Sequence, residues 1–386
     1  MSHAVHIVSP DDQKVTFVEL FFDLVFVYCV TQVAALLHGH VDVPSAASAL
    51  LVFWLVWWGW TQFTWALNAA NTDHPHVQAL TLVATAVAFF MGVGIPQAFA
   101  GGAVWFAGPY VALRAVGLLL YYWVARSDRE QRRAVRTFSL LSVTGLAAVI
   151  GGALAGGSAL PALWAGAIAL DLMAAGVGGR QEGWNLHPEH FAERHGLIVI
   201  IALGETLIGA AAGFAGAPRT PVLLATGALA VGVTGGLWWT YFRHARQTLE
   251  HALASRSGSA RSSLARDIFS IIHFPMLCGV IGMAVAMEAA LAHPDHRLDT
   301  GLRVALGTGA ALFVTGTAAA VWRAAGRPLL WRWILAPGAA ALVAVVGAAP
   351  WLAMGLLLAM LLGVAVAEHR APSAEPHLEA GSPAGR

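Results

Sequence analysis

Twelve stretches of about twenty mostly apolar residues follow one another along this chain, at 16–37, 46–68, 77–99, 104–124, 136–155, 160–178, 196–214, 221–242, 268–291, 302–322, 329–347 and 350–367. A helix needs about 20 such residues to cross about 30 Å of hydrocarbon. In hydrocarbon the backbone must find its hydrogen bonds within its own segment, so each stretch is expected to be helical. The expected fold is therefore all-α, a polytopic transmembrane bundle of about twelve helices. Only 11% of the residues are charged, against about 25% in soluble domains. That is too little charge to coat a soluble protein of this length.

The arginines orient the bundle. Basic residues gather on the cytoplasmic side of membrane proteins. With the N-terminus inside, 18 of the 22 Lys and Arg fall inside, three outside (Arg219, Arg297, Arg303) and one, Arg114, mid-helix. Two expected loops carry most of them: Arg126 to Arg136, and roughly 243–267, which could hold a short surface helix. Both termini are expected in the cytoplasm. Residues 1–15 read as a cytoplasmic N-terminal segment. Residues 368–386, rich in Pro, Ala, Ser and Gly, read as a disordered cytoplasmic tail.

FVELFFDLVFVYCVTQ at 17–32 and FAERHGLIVIIALGET at 191–206 both begin F-x-E at the inner end of a helix. GVGIPQAFA, closing the third stretch, resembles AVAMEAALA, closing the ninth. The expectation is two parallel six-helix halves, 16–178 and 179–367. Duplicated transporters place their sites between such halves.

Ionisable groups inside a membrane cost about 2.5–3.5 kcal/mol on insertion scales and face the bundle interior. The candidates for a substrate or ion pathway are Glu19, Asp23, Arg114, Asp171, Glu193, Arg194, His195, Glu205, His273 and Glu288. Glu19 and Asp23 stand four apart on one helix face. Arg114 needs a counter-charge at its depth, with Glu205 the first expectation and Asp23 the second. The same groups could instead hold helices together. Carboxylates outnumber mid-membrane cations, which points to bound protons or cations.

Other patterns point to packing. Trp54, Trp57, Trp58, Trp60 and Trp65 run through the second stretch as a lipid-facing or core stripe, with an aromatic ligand wall as the alternative. Gly152 and Gly156 form a G-x-x-x-G, a helix-packing signal. Cys29 and Cys278 exclude a disulfide framework. His187, His190 and His195 cluster in one loop and could bind zinc, but no H-E-x-x-H is present, so no metal is expected. The chain has no phosphate loop, dinucleotide fingerprint or nucleophile elbow, so neither cofactor nor enzymatic activity is expected.

VELFFDLVFVYCVTQ at 18–32, WNLHPEHFAERHGLIVIIALGET at 184–206 and IIHFPMLCGVIGMAVAMEAAL at 271–291 resemble the bacterial low-temperature-requirement A family. The resemblance covers roughly 15–350. It implies a multi-pass protein of the bacterial inner membrane. It marks Glu19, Phe22, Asp23, His190, Glu193, Arg194, Gly196, Gly204, Glu205, His273 and Glu288 as functional candidates. The family's name records growth in the cold and defines no molecular activity. Twelve helices, the duplication and buried carboxylates favour a secondary transporter, which could be proton-coupled. A non-transporting structural or stress-adaptation protein is the alternative; an intramembrane enzyme or an ion channel ranks lower. The expected partners are the lipid bilayer and an unidentified small molecule or ion, with no nucleic acid. Substrate and oligomeric state stay open.

Overall fold

Each of the twelve apolar stretches forms one helix in the computed structural model, which describes residues 7–10, 13–39, 41–178, 180, 181, 183–347 and 349–370. The expected tail beyond residue 370 lies outside the described residues, as do residues 1–6 of the N-terminal segment. The first half comprises α1 (Phe17–Ala35), α2 (Val43–Ala69), α3 (Pro75–Gly94), α4 (Ala103–Ala125), α5 (Arg129–Ala155) and α6 (Ala159–Gly178). Next come α7 (Pro188–Ala215), α8 (Pro221–Thr240) and two short helices, α9 (Arg246–Ala254) and α10 (Gly258–Ala265). The chain ends with α11 (His273–Ala292), α12 (Thr300–Ala325), α13 (Leu330–Val346) and α14 (Pro350–Arg370). Eleven membrane-length apolar helices are present, and α13, at 17 residues, is slightly shorter. Among the described residues there is no strand, only an isolated bridge between Val8 and Ala70.

Local chemistry sets the helix ends. Asp42 caps α2 by accepting from Ser45 N at 2.9 Å, while Ser45 Oγ accepts from Asp42 N. Asp128 caps α5, accepting from Glu130 N at 2.8 Å and Gln131 N at 3.2 Å. That cap starts α5 seven residues before the apolar stretch. Arg129, Arg132 and Arg133, expected in a loop, therefore ride on its first turns, where long side chains reach water past the helix end.

The second expected loop is also revised. α8 continues through a π-helical segment, Tyr241–Ala245, into α9. α10 continues through another, Arg266–Ile271, toward α11. Residues 243–267 thus form a helical hairpin that prolongs two spans. It is not a loop on the surface. A second apolar core, including Phe191, Leu249, Leu253, Leu264, Ile268 and Phe269, holds it to the bundle.

Packing partners match between the two sets of six. α1 packs on α3, α3 on α4, α4 on α5 and α5 on α6, with α2 against α1, α4 and α6. Likewise α7 packs on α11, α11 on α12, α12 on α13 and α13 on α14, with α8 against α7, α12 and α14. Between the sets, α1 and α2 both meet α7 and α11. The tryptophans of α2 lie at this seam, and Trp54, Trp57, Trp58 and Trp60 are all buried. They pack the core and do not face lipid.

Candidate functional site

Glu19 and Asp23 point from α1 into the seam, and α7 answers with His190 and Arg194. All four are buried. Glu19 is fixed by a capping box at the start of α1, with Oε2 accepting from Thr16 N and Thr16 Oγ at 3.0 Å each. Its Oε1 lies 3.1 Å from His190 Nε2 and 3.3 Å from Arg194 Nη1. Arg194 Nη2 also donates to Asp23 Oδ1. Trp60 Nε1 of α2 donates to the same oxygen at 2.8 Å. Asp23 Oδ2 and Arg194 Nε have no hydrogen-bond partner among the described residues.

Asn68 sets the state of His190. Its Oδ1 accepts from His187 N at 2.8 Å, so its amide group faces His190 Nδ1, 2.9 Å away. An amide donor needs a lone pair opposite it. That arrangement directs the hydrogen of His190 Nε2 toward Glu19. The cluster then counts two carboxyl groups against one guanidinium. It is electroneutral only when it holds one proton beyond two carboxylates, one guanidinium and a neutral imidazole.

Arg114 belongs to a separate network. Its Nη2 lies 3.1 Å from Asp171 Oδ1, and its Nη1 donates to Tyr110 Oη at 2.6 Å. Its Nε donates to Gln62 Oε1, and Ser142 Oγ lies 3.4 Å from Nη2. The expected pairing of Arg114 with Glu205 or Asp23 is thus overturned. α4 packs against α2, α3 and α5, within its own half. The guanidinium finds its carboxylate on α6, and the α7 carboxylate lies across the seam.

Glu205 sits at the other end of the seam, where Thr31 Oγ of α1 donates to its Oε2 at 2.7 Å. The register that aligns Phe17 with Phe191 also aligns Thr31 with Glu205. Equivalent positions of α1 and α7 therefore touch. Nearby, Glu288 pairs with His38 at 3.0 Å, both partly exposed. Phe22, Phe26, Val30, Ile198, Val199 and Ala202, all buried, separate this layer from the Asp23 cluster.

His195 and His273 form a further group. Each donates its Nδ1 hydrogen to a backbone carbonyl, of Phe191 at 2.9 Å and of Ile268 at 2.7 Å. Tyr241 Oη lies 2.8 Å from His273 Nε2. The contact joins the start of one π-helical segment to the first residue of α11, two past the end of the other. Glu193 is half-buried and makes none of the bonds of the Asp23 cluster. His187, His190 and His195 bond in three different directions, and no metal-competent group of three ligands occurs among the described residues.

Asn68, Gln62 and Tyr110 escaped the sequence reading, and Trp60, read there only as part of a tryptophan stripe, turns out to bond Asp23. Gln62 and Asn68 stand out on α2 as the amides in a span otherwise rich in tryptophan. A search for polar groups that did not stop at charge would have found them. The pair of buried Arg332 with half-buried Glu368, at 2.6 Å, was hidden because Arg332 read as a topology signal and Glu368 as the start of a disordered tail, whereas residues 368–370 form the last turn of α14.

The family model described as bacterial low temperature requirement A protein matches residues 14–367. An uncharacterized protein of Rhizobium meliloti (strain 1021), RA0937, is 29% identical over 322 residues, covering 80% of this chain and 77% of that protein. No solved structure matches the chain.

Proposed function

This chain belongs to the bacterial low temperature requirement A family, and we propose that it is a proton-coupled secondary transporter of the inner membrane, with its arginine-rich end in the cytoplasm. The charge balance of the Glu19, Asp23, His190 and Arg194 cluster carries this reading. A net charge left in a low-dielectric core is costly. Asp23, with one oxygen free of partners, is the carboxyl that takes the extra proton. Loss of that proton leaves one unmatched negative charge between α1 and α7. That charge drives rearrangement of one half against the other.

On this reading, residues 16–178 and 179–367 are the moving halves, as the matched packing of their helices supports. Asp23 and Glu205 are both closed off from solvent in this arrangement. Asp23 lies about 12 Å along α1 from Thr31, at 1.5 Å per residue, and the apolar layer between them separates the two polar ends. No chemical step on the cargo is involved.

A second reading, a membrane protein that acts through packing alone, draws on the same closure: Asp23 is 1% and Glu205 4% exposed. Proton stoichiometry separates the two. Purified protein in detergent, acidified in the presence of a pH dye, should take up one proton that Asp23→Asn does not. Asn has the shape of a protonated Asp, so this variant should keep its unfolding midpoint while losing pH-gradient-driven flux in proteoliposomes. Equal proton uptake by wild type and Asp23→Asn would leave the packing reading.

A further inference from the structure

A groove of about 560 Å³ runs along the seam on the outside of the bundle, between α2 of the first six helices and α12 of the second. Beneath it α1 and α11 pack on each other. Its floor is buried and includes Val33 of α1, Phe53 of α2 and Ile281 of α11. Its rim is exposed, with Leu50 on α2 and Val304 and Leu312 on α12. The groove starts at the first residues of both walls, Val43 and Thr300, and ends level with Phe53 and Leu312. At 1.5 Å per residue these stretches are about 15 and 18 Å long. Half of a hydrocarbon core of about 30 Å is about 15 Å. The groove therefore follows one leaflet, on the side away from the arginine-rich end, and stops near the bilayer middle.

The lining asks for hydrocarbon. Among the described residues its one charged group is Asp42, at the outer end, where it caps α2 by accepting from Ser45 N at 2.9 Å. Thr300 Oγ accepts from Arg303 Nη2 at 2.9 Å, and Thr308 donates to Val304 O within its own helix. No buried polar side-chain atom of the lining lacks a partner among the described residues. A polar ligand would find nothing there to replace its bonds to water. Access is from the side. At the water-facing end the walls close on each other, since a Cβ on Gly301 would collide with Val41 O. The exposed rim belongs to two membrane-length apolar helices, so the opening is continuous with the surface that faces lipid.

We propose that this groove is a binding site for a phospholipid of the leaflet away from the arginine-rich end, which lays acyl chain along the seam between the two sets of six helices. The depth of the groove selects this occupant over a second copy of the chain. A partner helix crosses the full hydrocarbon core of about 30 Å and would need a furrow about twice as long. An acyl chain ends where its leaflet ends, as the groove does. The site goes beyond the transport reading and does not rest on it. α2 and α12 belong to different sets of six, so movement of one set against the other would displace the lipid.

The test adds phosphatidylcholine with a photoactivatable diazirine on one acyl chain to full-length protein in detergent, and maps the cross-links by peptide mass spectrometry. A diazirine at the chain end should mark the peptides of Phe53 and Leu312, and one near the glycerol those of Val43 and Thr300. Labelling there should saturate and yield to excess unlabelled phosphatidylcholine, whereas exposed Leu140 and Val345 on other faces should label weakly and without saturation. Ala46→Leu combined with Thr308→Leu narrows the groove from both walls. It should weaken labelling about tenfold, the worth of burying roughly two methylenes. Where that variant fails to fold, saturation and depth order in the unsubstituted chain decide. Labelling that does not saturate, that reverses the depth order, that spreads evenly to Leu140 and Val345, or that ignores the folded double variant overturns the site. Val43→Cys, on the exposed outer rim, checks the other occupant. It should stay monomeric under mild oxidation, and a disulfide-linked dimer that excludes the label would give the groove to a second copy.

Discussion

Arg114 turns all three guanidinium nitrogens toward partners on four different helices. Breaking one side of such a buried pair leaves a stranded charge, and costs about 3–5 kcal/mol. Asp171→Asn and Arg114→Gln should each lower the unfolding midpoint in detergent by that order, and the double variant should recover part of the loss. Strictly additive losses would show that the two residues do not depend on each other. Arg114→Gln combined with Glu205→Gln should, by contrast, be additive, because Glu205 bonds to Thr31 across the seam. Depth along a helix was legible in the sequence, and it correctly marked these residues as interior. Direction around the helix axis was not. It depends on which neighbour each helix packs against, and that is settled by contacts far apart in the chain. For the same reason Glu19 and Asp23 could be placed on one face, while Arg194 between them could not.

Helix crossings are set by where the backbone can approach. At the α11–α12 crossing, Gly279 and Gly309 face each other, and a Cβ on either would collide with the carbonyl oxygen of the other. Gly→Ala in an open helix position gains about 1 kcal/mol of helix propensity, whereas forcing atoms into a packed crossing costs about 1–3 kcal/mol. The second effect wins here, so Gly279→Ala should be destabilising. Gly166, on α6 with nothing within 4 Å of an added Cβ, should tolerate Ala or gain from it. Thermal unfolding of the two variants side by side checks the contrast, and equal midpoints would refute it. The expected packing motif at Gly152 and Gly156 divides in the same way. A Cβ on Gly152 would meet Trp164 at 3.0 Å, but Gly156 has φ +64° and closes α5. Spacing alone could not separate a packing glycine from a terminating one, since the end of a helix is decided by the turn that follows it. The twelve apolar helices were legible because length and apolarity are local properties. The α9–α10 hairpin was not, because its polar sequence is held by a second core drawn from α7, α12 and the residues preceding α7.

At the scale of the whole molecule, the two sets of six helices repeat one pattern of neighbours, and the hairpin breaks the symmetry on the arginine-rich end alone. The two F-x-E openings of the sequence fall on the first helix of each set, α1 and α7. The hairpin also gives the orientation its most direct test. Ser257 is exposed at the hairpin tip, in the turn between α9 and α10. Basic residues stay on the cytoplasmic side, and 18 of 22 lie on this side in the expected orientation. A cysteine at this position, Ser257→Cys, should react with a membrane-impermeant maleimide in inverted vesicles and stay silent in intact cells. The native cysteines supply the background: Cys29 is buried and Cys278 half-buried within α11, so the chain without the substitution should label weakly from either side. Labelling of Ser257→Cys in intact cells would turn the bundle over. The hairpin would then face the outside, and Glu205 with Glu288 would lie toward the cytoplasm. The proton proposed for Asp23 would be taken up from the opposite compartment, so the same experiment fixes the direction in which a proton gradient could drive the two halves.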